Sequence, residues 1–188
     1  VTDGWPQLTY EDALRAHYEA MIGSGDNPAP VIAAEKLEGA LMRPAMAIHY
    51  EDAPVAVQVA RLVDGVATAH AFRDGNKRTA AQLGDMYLRL RGCRIASPSS
   101  DDTTFGRNVE LLVSEDYPAY TIEEFTAWLE TNIVDGYAEI MALLDNLLVY
   151  EDPETLLTDL QRYFDAQLGP GVVQIGSLDD EVDEDDKH

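Results

Sequence analysis

The amino-acid sequence predicts an all-α fold: a helical bundle in which a short polar loop separates two central helices, followed by a C-terminal helical extension. Three observations lead there. Apolar residues recur at helical spacing through most of the chain. Capping and stop signals bound these runs. One segment, residues 55–67, is apolar on nearly every side (Val55, Val57, Val59, Leu62, Val63, Val66, Ala67), which marks a helix buried at the centre of a bundle. With 188 residues, 46% of them hydrophobic, the chain can build a core for one domain, with or without an appendage.

Each element follows from its own signals. Thr9 opens a Thr-x-x-Asp pattern, an N-terminal capping box, and Leu14, Tyr18, Met21 and Ile22 follow at helical spacing until Gly23. Residues 23–30 are a loop by their Gly, Ser, Asp, Asn and Pro content. A second helix is expected from about Val31 to Met42, stopped at Arg43-Pro44, and residues 44–52 are expected to connect. Asp52 is positioned to cap the apolar helix, with Pro54 in its first turn. After the loop at 70–75, a fourth helix is expected from about Asn76 to Arg91, with Gly92 as its stop, then a short extended piece at Arg94-Ile95. A fifth helix is expected over Asp102–Ser114, and Thr121 to Glu124 form a capping box for a sixth that ends near Ile133. Two further helical patterns cover Gly136–Tyr150 and Pro153–Leu168, before an acidic tail at 171–188 that is expected to be disordered.

Composition narrows the partners. The formal net charge of −22 repels phosphate backbones, so direct nucleic-acid binding is not expected. No apolar run reaches the roughly 20 residues needed to cross a bilayer, so no membrane association is expected either. The opening Val1-Thr2-Asp3-Gly4-Trp5 lacks the basic and apolar regions of a signal peptide, and a cytoplasmic protein is the simplest expectation. The single cysteine, Cys93, excludes an intrachain disulfide and reads as a small core residue.

The chemistry concentrates in His70-Ala71-Phe72-Arg73-Asp74-Gly75-Asn76-Lys77-Arg78. This stretch lies between two predicted helices, so the N–H groups from Gly75 to Arg78 sit at a helix N-terminus. They lack intrahelical partners there, and the helix dipole is positive. Gly75 permits a tight turn and close approach of an anion. Lys77 and Arg78 add positive charge, Asp74 offers oxygen to Mg²⁺, and His70 is suited to act as a general base near neutral pH. An Asp-Gly-Asn sequence alone is an ordinary turn and cap. Two cations in the first turn, however, oppose the helix dipole, and an anionic ligand removes that conflict.

The stretch resembles the signature loop of the Fic/Doc (Fido) family, His-x-Phe-x-Asp/Glu-Gly/Ala-Asn-Gly/Lys-Arg, at every defined position. The flanks resemble the Doc-like (death-on-curing toxin) branch. They include Leu37-Glu38-Gly39-Ala40-Leu41-Met42-Arg43-Pro44, His17 in the first helix and Ile122 to Leu129. The resemblance implies a Fido-type bundle with the active-site loop between the central helices, and a catalytic domain over residues 1–133, with a helical extension over 134–170. It implies that His70 deprotonates a hydroxyl of a target protein and that Asp74 holds Mg²⁺ or positions the nucleophile. Gly75 and Asn76 would help form an anion hole, Lys77 and Arg78 would face phosphate, and Phe72 would anchor the loop. ATP is the implied co-substrate. Met46, Ala47, Ile48, His49 and Tyr50 fall where the family places a flap, and their alternating pattern suits pairing with an extended peptide of the target.

Two residues bear on the product. Members that transfer AMP carry a second glycine where this chain has Lys77, and a second arginine where it has Ala81. Both departures match the Doc branch, which implies transfer of the terminal phosphoryl group, a toxin–antitoxin system with an antitoxin partner, and a translation elongation factor as the target. Ala71 replaces the proline common in both branches, which costs some rigidity. The competing readings are a Fic-type adenylyltransferase and a non-catalytic interaction protein on the same fold. The acidic region beyond residue 134 raises a further alternative, an appendage that folds over the cationic loop and quiets it, against a plain packing extension.

Overall fold

The computed structural model describes residues 7–96, 104–114 and 120–136, together with residues 155, 158, 161 and 162. The chain divides into two compact units, Val1–Tyr137 and Ala138–His188. In the second, the four described residues are helical. The two helical patterns expected there otherwise lie outside the described residues, as does the acidic tail.

The first unit is helical, as expected. Its elements are α1 (Tyr10–Gly23), α2 (Ala34–Leu41), α3 (Arg43–Glu51), α4 (Val55–Thr68), α5 (Asn76–Leu90), β1 (Cys93–Ile95), α6 (Thr104–Leu112), α7 (Ile122–Asn132) and β2 (Ile133–Asp135). Thr9 and Thr121 both form the expected capping boxes, the first with Asp12 and the second with Glu124. Helix α4 is the centre of the bundle and packs against α2, α3, α5, α6 and α7. Val59, Ala60, Leu62, Val63 and Val66 are fully buried along it. Its one inward polar residue, Gln58, is satisfied at both ends of its amide. The Nε2 donates to the Ala53 carbonyl at 2.6 Å, and the Oε1 accepts from the Tyr87 hydroxyl of α5 at 2.8 Å.

The segment expected to connect, residues 44–52, is helical. Pro44 stands at the first turn of α3, where its missing N–H costs nothing, and the chain needs only Met42 between α2 and α3. Asp52 does not cap α4. It ends α3 in the left-handed region (φ 47°), which aspartate tolerates better than most residues, and Pro54 precedes α4 without a side-chain cap. Helix α2 starts three residues later than its apolar pattern suggests, because the backbone at 30–33 is taken up by pairing with the loop after α4.

The short extended piece at Arg94-Ile95 finds a partner that the sequence does not advertise. β1 and β2 pair antiparallel, with Cys93 opposite Asp135 and Ile95 opposite Ile133. Burial and the Asp135 carboxylate both push the Cys93 thiol above its ordinary range, which keeps it protonated and inert.

Gly84 on α5 marks a close approach to both α4 and α6. A Cβ there would lie 2.8 Å from both Val63 Cγ2 on α4 and Phe105 Cζ on α6. Gly84→Leu is expected to destabilise the fold by about 2 kcal/mol through overpacking, measured by urea denaturation.

Candidate active site

The loop between α4 and α5 is held by its own side chains before anything else touches it. Asn76, the first residue of α5, turns its amide back over the loop. Its Oδ1 accepts from the Phe72 N–H at 2.9 Å, and its Nδ2 donates to the Phe72 carbonyl at 2.7 Å. Both functions of the amide thus shape the loop. Gly75 adopts φ 78°, a left-handed conformation that glycine takes without a Cβ penalty. A Cβ at Gly75 would also meet Met21 Sδ, so this turn is pressed against α1.

A strand-like segment braces the other side. Val31 forms an antiparallel bridge with Phe72. The Ile32 and Ala33 N–H groups donate to the Ala71 carbonyl, and the Arg73 N–H donates to the Pro30 carbonyl at 3.1 Å. This is the only backbone pairing of the loop among the described residues outside its neighbouring helices.

Beneath the loop lies His17 of α1, 3% exposed. Its ring stacks on Phe72 with centroids 3.9 Å apart. Its Nδ1 lies 2.9 Å from Thr79 Oγ1, and the Thr79 hydroxyl donates to the Gly75 carbonyl at 2.8 Å. The Ala29 N–H donates to His17 Nε2 at 3.0 Å. The Thr79 hydroxyl is spent on Gly75, so Nδ1 carries a proton and donates to Thr79, while Nε2 faces both polar groups of Ala29 at 3.0 Å, accepting from its N–H when the ring is neutral and donating to its carbonyl when the ring is protonated. Burial holds His17 below the ordinary histidine range, with Arg78 acting in the same direction and the Ala29 carbonyl and Asp74 opposing.

The residues expected to carry chemistry face outward from this scaffold. His70 is exposed and held in the left-handed region at φ 48°, rare for a residue with a Cβ. Asp74 is also exposed. One of its oxygens accepts the Gly75 N–H at 2.6 Å. The other lies 3.6 Å from Arg78, the one pair among the expected polar residues that the structure brings within ion-pair distance. Lys77 is exposed and Arg78 half-buried. Among the described residues, the N–H groups of Asn76, Lys77 and Arg78 have no partner, while the Thr79 N–H has already entered the helix by bonding to Gly75. These three donors stand at the start of α5 with Lys77 and with Arg78, whose charge is met by the carboxylates of Asp26 and Asp74.

The extended conformation expected for the flap segment is not the one observed. Met46, Ala47, Ile48, His49 and Tyr50 lie on α3, not on an extended segment. Ala47 is fully buried while Met46 and Tyr50 are exposed, so the apolar residues follow a helical and not an alternating pattern. A helical backbone spends its N–H and C=O groups internally and has none to lend a peptide strand. Ion pairs join the two ends of α3 to α4, Arg43 with Asp64 and Glu51 with Arg61.

Sequence reasoning gave no role to Thr79 or Asp26, counted Met21 only in the apolar spacing of the first helix, and noted His17 only by resemblance. The apolar spacing read for α1 pointed to the wrong face: Leu14, Tyr18 and Ile22 are exposed, and α1 buries His17 and Met21 with Ala13 and Ala16. Asp26 had no signal: it meets Arg78 across 52 positions, at 2.5 Å.

Because His17 is neutral and held low when folded, the unfolded chain takes up its proton first, near pH 6.5. Stability from this group is therefore complete above that pH and is lost as pH falls below it, down to the folded value. The stability advantage of the wild type over His17→Asn, from urea denaturation, is expected to be smaller at pH 5.5 than at pH 7.5. An equal advantage at both values would contradict this.

Comparison with known proteins supplies one match. A family model described as the Fic/DOC family matches residues 7–88. No curated protein and no solved structure matches the chain. The matched stretch runs from before α1 into α5, and so contains His17, the bracing segment at 30–33, the loop itself and Thr79. Every element that builds this loop thus lies in the part of the chain that is similar to the Fic/DOC family.

Proposed function

We propose that this chain is a transferase of the Fic/Doc type that moves a phosphate-containing group from ATP to a hydroxyl of a target protein. The observation that carries this reading is the cationic start of α5. Three N–H donors with no partner among the described residues stand there with Lys77 and the carboxylate-paired Arg78, beside an exposed histidine and an exposed aspartate on the same braced loop. Preorganised donors of this kind stabilise negative charge as it develops on a transferring phosphoryl group.

His70 serves as the general base. It accepts the proton of the target hydroxyl as that oxygen bonds to phosphorus, and the electron pair of the broken P–O bond leaves with the nucleotide product. Arg78, Lys77 and the α5 N–H groups hold the phosphate oxygens. Asn76 acts mainly through the loop, since both ends of its amide already bond to Phe72. Phe72 is the anchor, fully buried on His17.

Asp74 suits Mg²⁺. It is exposed, and one carboxylate oxygen is engaged only at 3.6 Å by Arg78. Among the described residues no cluster of three ligating side chains surrounds it. That fits a metal that arrives with a nucleotide, because Mg²⁺ commonly takes one or two carboxylates and completes its shell with phosphates and water. When bound, Mg²⁺ supplies neutralisation of phosphate charge.

Lys77 and Ala81 favour the terminal phosphoryl group over AMP. A lysine at position 77 fills space that glycine would leave for a wrapped phosphate chain, and Ala81 lacks a second arginine for the terminal phosphates. On this reading the protein is a toxin-type phosphotransferase of the Doc branch. Its target would be a translation component such as an elongation factor, with an antitoxin as partner.

His70→Ala is expected to lower transfer by about 10²- to 10⁴-fold with an unchanged circular dichroism spectrum. An interaction protein would keep its partner and show no transfer to lose. ATP labelled separately at the α and γ phosphates, incubated with lysate, tests the product. Label from the γ position on a protein band supports phosphorylation, and label from the α position replaces this reading with adenylylation.

A further inference from the structure

We propose that Asp26 is a built-in counter-ion that a nucleotide phosphate must displace from Arg78, so that Asp26 sets the affinity of the site for nucleotide. The inference rests on the reading above that Arg78 holds phosphate.

The contact is constructed and not incidental. Helix α1 ends in a paired cap: the Gly25 N–H donates to the Ile22 carbonyl at 2.9 Å, and the Asp26 N–H donates to the Met21 carbonyl at 3.0 Å. Gly25 between them is left-handed at φ 79°. This is the Schellman arrangement, which fixes the backbone of the residue after the glycine. Asp26 is that residue. Three residues on, Ala29 is tied to His17, so the segment carrying Asp26 is held at both ends.

The position of Asp26 follows from helix packing. α1 and α5 run antiparallel, with Met21 against Gly75, His17 against Thr79, and Glu19 near Gln82. The C-terminal end of α1 therefore lies beside the N-terminal start of α5. There Asp26 Oδ2 accepts from Arg78 Nη1 at 2.5 Å, while Asp74 Oδ2 stands 3.6 Å from Nη2. Both ends of the guanidinium fork face carboxylates, and the fork is the geometry that would grip a phosphate bidentately. Asp26 also removes part of the conflict between two cations and the α5 dipole, a role the sequence alone assigned to a ligand.

The pair is easily opened. The Arg78 and Asp26 side chains are 33% and 54% exposed, and ion pairs exposed to this degree are weak. A ligand with two or more negative charges and several acceptor oxygens competes well for the fork, and a singly charged carboxylate competes poorly. Asp26 thus filters the anions that reach the loop, and it discriminates by charge and not by shape.

The test is equilibrium binding of MgATP and of inorganic pyrophosphate, at one fixed ionic strength, to the full chain and to Asp26→Asn, Arg78→Ala and the double variant. Thermal unfolding checks that each is folded. Asp26→Asn is expected to bind both probes about three- to tenfold more tightly than the wild type. In the Arg78→Ala background the same substitution is expected to gain less than about twofold, because the competitor then has nothing to occupy. Unchanged or weaker binding by Asp26→Asn overturns the inference and shows that the carboxylate holds Arg78 ready instead. An equal gain in both backgrounds also overturns it, leaving only general charge repulsion, while the assignment of phosphate to Arg78 survives. If Arg78→Ala binds both probes as tightly as the wild type, the assignment of phosphate to Arg78 fails and the inference falls with it.

Discussion

The site depends on a buried histidine that touches four parts of the chain at once. His17 belongs to α1, stacks on Phe72 of the loop, bonds to Thr79 of α5 and bonds to Ala29 of the segment that carries Asp26. A buried imidazole without partners would be costly, so the four parts must arrive together for the ring to be tolerated. That requirement registers α1 against α5. It places Met21 beneath Gly75, where only glycine fits, and it holds the Gly75 carbonyl through the Thr79 hydroxyl. The outward geometry of the loop is a consequence of this inward packing.

Around that point the loop is divided by function. Phe72 and Asn76 face inward and spend their groups on structure. His70, Asp74 and Lys77 face outward, and Arg78 stands between, half-buried and held by carboxylates. His70 is the strained member, in the left-handed region without glycine's freedom. Strain of this kind persists only where neighbouring structure over-determines it, and the bridge from Val31 to Phe72 two residues later supplies part of that support.

Much of the fold was legible because its signals are local. The capping boxes at Thr9 and Thr121, the apolar length of α4 and the stop after α5 are each written within a few residues. The errors came where local signals were ambiguous. Proline at position 44 is both a stop for one helix and an acceptable first turn for the next, and the sequence does not say which. An aspartate at position 52 can cap a helix from either side. The apolar residues of 46–50 suited a strand period over five residues, too short a window to distinguish it from a helix that buries Ala47. Of the site, the motif residues were readable in one stretch. The residues that hold them in place were not, because Asp26 and Thr79 meet their partners across 52 and 62 positions.

The sequence by itself determined which chemical groups stand on one loop and that a helix begins immediately after it, since both are properties of consecutive residues. Tertiary structure alone decided how those groups are used. Antiparallel packing of α1 on α5 brought a carboxylate to Arg78 and a threonine to His17, and pairing with residues 30–33 delayed α2. These outcomes depend on which helix faces lie against each other. That is fixed by burial across the whole core and is encoded in no short stretch of the chain.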